Sequence, residues 1–92
     1  MIRDFKDKDT KQFFEGKHVA RFQAFKDQAT RRLTILDSAD KLGDLAGLQS
    51  NRLKALRGDR DGQYSIRINM QWRICFKWTD DGPSEVEIAD YH

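Results

Sequence analysis

The residues of this chain whose types and spacing could do chemistry fall into two sets. One is a pair of arginines, Arg67 and Arg73, in "SIRINMQWRICF". The other is the triplet Asp90-Tyr91-His92 at the end of the sequence. Guanidinium groups match phosphate oxygens two bonds at a time. An imidazole gives or takes a proton near neutral pH. A phenol stacks on a base or donates a hydrogen bond, and a carboxylate orients a partner. Such a set could hold a scissile phosphate and move its protons without a metal. RNA suits it, because its own 2′-hydroxyl can be the nucleophile. Residue types alone leave a plainer reading open: Glu85 or Glu87 could neutralise the arginines, and the triplet could be only a tail.

The elements that must position these residues change period near residue 51. Before it the pattern is helical. "MIRDFK" alternates weakly through Ile2 and Phe5 and reads as a short edge strand. "DKDTKQFFEGK" reads as a short helix with Asp7 or Asp9 as N-cap and Gly16 as stop. In "ARFQAFKDQATRRLTILDSAD", Phe22, Phe25, Ala29, Leu33 and Leu36 recur at helical steps, which predicts a long helix with a core-facing stripe. "KLGDLAGLQS" reads as a turn or short helix leading out of the helical half.

After residue 51 the period is two. Strands are predicted at 63–69 and 72–78, joined by a tight hairpin, with a last strand in "EVEIA". Tyr64, Ile66, Ile68, Trp72, Ile74 and Phe76 form the buried phase; Ser65, Arg67, Arg73, Cys75 and Lys77 form the wet one. Arg67 and Arg73 flank the hairpin and should be neighbours. Asp90 continues the apolar phase of Val86 and Ile88, where a carboxylate does not belong. The last strand is therefore expected to stop before it, with the final three residues turning toward the sheet surface. The expected fold is α+β: an N-terminal helical hairpin packed on a mostly antiparallel β-sheet.

Composition narrows the class. At 92 residues this is expected to be one domain, residues 1–92. Aromatics at 11% are too many for a disordered chain. No apolar run approaches a membrane span, and no apolar signal region follows Met1. One cysteine, Cys75, allows no internal disulfide; with two distant histidines it offers no structural zinc set. These features predict a cytoplasmic protein with no metal and no cofactor. The net charge is only +2, but between Asn51 and Lys77 seven basic residues face two acids, a local excess of +5. A basic stretch in an otherwise neutral chain reads as a polyanion patch.

"NRLKALRGDRDGQYSIRINMQWRICFKW", followed by "VEIADYH", strongly resembles the HigB toxins of type II toxin–antitoxin systems, in the RelE/ParE superfamily. The matching elements run Leu53 to Gly62, Ser65 to Phe76 and Asp90-Tyr91-His92, and the likeness extends to the N-terminal "IRDFKDKDT". The resemblance implies a RelE-like fold and a ribosome-dependent mRNA endonuclease that slows translation. It implies a HigA-type helix-turn-helix antitoxin as partner, through which alone operator DNA would be bound. The catalytic positions it carries over are Lys54, Arg57, Arg73, Asp90, Tyr91 and His92. The remaining basic residues Arg52, Arg60, Arg67 and Lys77 fall to RNA binding. Some members have His where this chain has Lys54, so a two-histidine acid–base pair is not available here, and His18 in the helical half is a poor substitute. Two other readings compete. A ParE-like toxin would share the fold and inhibit gyrase without cutting RNA; the "DYH" ending and the "GDR…SIRIN…WRI" run argue against it. A regulatory DNA binder would need a helix-turn-helix pattern, and none is visible.

Overall fold

The structure is a computed structural model, and it describes residues 1–90. Four strands, β1 (Lys54–Ala55), β2 (Tyr64–Arg67), β3 (Trp72–Thr79) and β4 (Gly82–Asp90), form one antiparallel sheet in sequence order. Helices α1 (Lys8–Phe14), α2 (Lys26–Ser38) and α3 (Leu42–Ala46) precede them. This is the α+β arrangement read from the sequence.

The helical half follows its apolar stripe. Asp7 caps α1, its Oδ2 accepting the Thr10 N–H at 3.1 Å. Phe22, Phe25, Ala29, Leu33 and Leu36 are all buried. The expected single helix is in fact two pieces, a 3₁₀ stretch over Ala20–Phe25 and then α2. Three residues per turn put Phe22 and Phe25 on one side. Both rings then reach Trp72 of β3, at centroid distances of 5.9 and 4.9 Å. Phe22 also meets Phe13 edge-on at 5.5 Å. This aromatic cluster joins helices to sheet, and removing a ring of its kind costs about 3–5 kcal/mol.

The predicted N-terminal edge strand is a strap along β4. Arg3 N–H donates to the Pro83 carbonyl, Lys6 N–H to the Val86 carbonyl, and Val86 N–H to the Asp4 carbonyl. Among the described residues only Phe5 and Val86 pair in the β sense there, and they do so in parallel. Buried Thr10 accepts the Ile88 N–H at 3.0 Å. The strap and α1 thereby satisfy an edge that would otherwise template aggregation.

Two expectations about the sheet are corrected. Ser65 and Cys75 were placed on a wet face, yet both are fully buried. The segment after β1 folds over that face, and Leu56, Cys75 and Ala89 form a second small apolar cluster there. Nor does β4 stop before Asp90: it pairs Asp90 with Trp72 and Ala89 with Arg73. Asp90 is tolerated in the apolar phase because it is exposed at the sheet's end, where the Gln71 side-chain amide donates to its Oδ2 at 2.9 Å.

Candidate active site

The site is built around Arg73. The register makes Arg67 and Arg73 direct cross-strand partners, as the hairpin predicted. Like charges opposite one another repel, and the structure separates them. Arg67 turns toward the hairpin tip, where its Nε donates to the Asn69 carbonyl at 3.2 Å and its guanidinium meets Met70 Sδ. Arg73 turns the other way. Its Nε donates to Ser65 Oγ at 2.7 Å, and its Nη2 donates to the Arg52 carbonyl at 2.6 Å. The plainer reading, neutralisation by Glu85 or Glu87, does not describe these contacts. Glu85 pairs with Lys77 at 2.8 Å, and Glu87 pairs with Arg60 at 3.0 Å and Lys6 at 3.9 Å.

Arg52 connects Arg73 to a surface hollow. Residues 49–51 form a 3₁₀ turn, and Arg52 follows in the left-handed region at φ 49°. An open concavity of about 480 Å³ is lined by Gln49, Ser50 and Arg52. Lys54 is exposed on β1 opposite Ser65, on the same sheet face as Arg73. Exposed Arg57 precedes the 3₁₀ turn at Gly58–Arg60. Of the residues assigned to RNA binding, Arg52 stands at the hollow and Arg67 at the hairpin. Arg60 and Lys77 are instead engaged with carboxylates further along the sheet.

The closing triplet is only partly in view. Asp90 shares a ladder row with Trp72, so it lies on the opposite face of the sheet from Arg73. Tyr91 and His92 lie outside the described residues. Sequence reasoning missed three polar residues that support Arg73 directly or through the Arg52 turn: buried Ser65 and Asn51, and Arg32 on α2. Ser65 looked like an ordinary wet-phase serine, and Asn51 lies in "LQSNRL", which has no period. Among the described residues no group of three or more His, Cys, Asp or Glu could hold a metal ion. No helix among them is long and apolar enough to cross a membrane. Burial pushes the Cys75 thiol above its usual value, with Arg60 opposing. The thiol is thus an inert neighbour of the site.

The fold defines a class. Two solved YoeB–YefM complexes from Staphylococcus aureus superpose on the whole chain at TM-scores of 0.64 and 0.65, with 20% identity and 98% of the matched chain covered. The chain thus shares a fold with a chain of those complexes. Sequence gives the family: residues 3–92 match the RelE-like toxin of type II toxin-antitoxin system HigB, and the chain belongs to that family. It is 38% identical to Toxin HigB-1 of Vibrio cholerae serotype O1 over 82 residues, 87% of this chain and 86% of that one. It is 34% identical to Endoribonuclease HigB of Proteus vulgaris over the full length of both.

Proposed function

We propose that this toxin is a metal-independent endoribonuclease that cuts mRNA on the ribosome and so arrests translation. The observation that carries the proposal is Arg73, a guanidinium held by oxygens of Ser65 and of Arg52, the latter lining an open hollow. The full-length likeness to a protein named Endoribonuclease HigB supports the reaction class.

The reaction follows from the groups. A 2′-hydroxyl attacks the adjacent phosphorus and loses its proton to a base. The P–O5′ bond breaks, leaving a 2′,3′-cyclic phosphate, and the departing 5′-oxygen takes up a proton. Arg73 stabilises charge developing on the phosphate oxygens, with Lys54 and Arg57 adding to the field. His92 carries the proton work, and Tyr91 stacks on an exposed base. Asp90, held by Gln71, orients a partner group. The hairpin at Arg67 and the hollow at Arg52 take flanking backbone, joined by Arg60 and Lys77 on the wider surface. Grasping the message on the ribosome suits a domain this small, whose local charge excess is +5. A HigA-type helix-turn-helix antitoxin neutralises the toxin and carries operator binding. The protein acts in the cytoplasm, where its substrate is.

The test compares the full chain with a form lacking Tyr91 and His92, expressed at equal soluble level without antitoxin. Growth arrest with new mRNA ends is expected from the full chain alone. Equal mRNA cleavage by the truncated form would remove the tail from the chemistry. Arrest with intact mRNA and trapped topoisomerase complexes would establish the gyrase reading instead.

A further inference from the structure

Arg73 does not set its own direction. A free arginine side chain samples many rotamers, and a group that stabilises developing charge works best when already aimed. Among the described residues, Ser65, through its hydroxyl and more weakly its carbonyl, and the Arg52 carbonyl aim Arg73. The first, Ser65 Oγ, is fully buried on the neighbouring strand and cannot wander. The second, the Arg52 carbonyl, belongs to a non-glycine residue at φ 49°. Left-handed backbone at such a residue is costly and persists only when its surroundings enforce it.

Those surroundings are visible. Asn51, directly before Arg52, is fully buried. Its Nδ2 donates to the Leu45 carbonyl at 3.1 Å. Its Oδ1 accepts from Arg32 Nη1 at 2.8 Å, and the same nitrogen reaches Ser50 Oγ at 3.3 Å. Helix α2 thus grips the turn that presents the Arg52 carbonyl.

We propose that Ser65, Asn51 and Arg32 are positioning residues for Arg73: Ser65 fixes one side of its guanidinium, and Arg32, acting through Asn51, fixes the turn whose carbonyl holds the other. The inference rests on the proposed role of Arg73 in phosphate stabilisation. It assigns a function to α2, whose Arg32 acts on Arg73 only through the 49–52 turn.

The experiment has two readouts on the intact protein. The first is the Arg73 Nε–H signal in ¹⁵N NMR. A slowly exchanging signal in the parent, lost in Ser65→Ala and weakened in Arg32→Ala, is expected; a fast-exchanging signal in the folded parent overturns the clamp whatever the activity. The second is single-turnover cleavage of an mRNA on a programmed ribosome. Ser65→Ala and Arg32→Ala should each slow it roughly ten- to a hundredfold with KM little changed. Added to Arg73→Ala, neither should cost more, because residues acting through one group are not additive. Full rates in both single variants, or losses that add to that of Arg73→Ala, overturn the proposal. A fully active Arg73→Ala protein, together with a protected Arg73 Nε–H in the parent, defeats the reading of Arg73 itself, while the clamp geometry stands.

Discussion

Arg67 and Arg73 face each other across the β2–β3 ladder, yet their guanidinium groups point to opposite ends of the hairpin. One is held by the turn at Asn69 and Met70, the other by Ser65 and Arg52. The divergence removes a like-charge clash and gives the two residues different work. Arg73→Ala should lower mRNA cleavage by about a hundredfold or more, as loss of a transition-state donor does. Arg67→Ala should act chiefly on binding, raising KM and flattening the salt dependence. Both proteins should melt within a few degrees of the parent. Equal effects on kcat from the two changes would contradict the assignment.

The helical stripe and the strand alternation were legible because burial imposes a period. Phe22, Phe25, Ala29, Leu33 and Leu36 announced one face of a helix, and Ile66, Ile74 and Phe76 one face of a sheet. The break at Phe25 was not legible, since a 3₁₀ stretch keeps the same apolar residues inward and differs only in how they wrap Trp72. The burial of Ser65 and Cys75 was hidden for another reason. Leu56, which covers that face, sits in an irregular segment whose contacts follow no repeat. Asn51 and Arg32 make a purely tertiary contact, 19 positions apart. The arginine pair was read from side-chain chemistry, and the role proposed for the tail from that chemistry and the family resemblance; the polar support beneath Arg73 needed three dimensions.

Gly82 should be intolerant of a side chain. Its φ is +122°, and an added Cβ would strike the Met1 carbonyl of the strap. Gly82→Ala should destabilise the protein by about 1–3 kcal/mol, seen as a lower urea midpoint. The specific activity of the folded fraction should not change, because this end of β4 is remote from Arg73. An unchanged midpoint would show that the strap yields freely.

Asp4 gives the strap a pH dependence. The Glu85 N–H and then the Ser84 hydroxyl donate to its carboxylate, which lowers its pKa below the usual 3.8. A carboxyl group depressed on folding adds stability above its unfolded pKa, and that stability is lost as pH falls through the folded value. The stability curves of the parent and Asp4→Asn should therefore differ at neutral pH and converge below about pH 4. The gap should be small, because Asp4 is exposed and water screens it. Parallel curves down to pH 2 would place the acid sensitivity elsewhere.

Cys75 should report on unfolding. Its thiol is fully buried and that burial raises its pKa, both of which suppress reaction of the thiolate. Reaction with an aromatic disulfide reagent should be slower than in denaturant by about a hundredfold or more, and should track global opening. Fast native reaction would show that the 56–63 segment lifts off the sheet locally.

On the proposed function, this family member cuts message only where the ribosome presents it. Purified toxin, a defined mRNA and purified ribosomes decide the matter in one gel. Programmed ribosomes should yield discrete cuts with 2′,3′-cyclic phosphate ends, the free mRNA should stay nearly intact, and Arg73→Ala should leave both uncut. Efficient cutting of free mRNA, or intact mRNA on programmed ribosomes, would contradict the account.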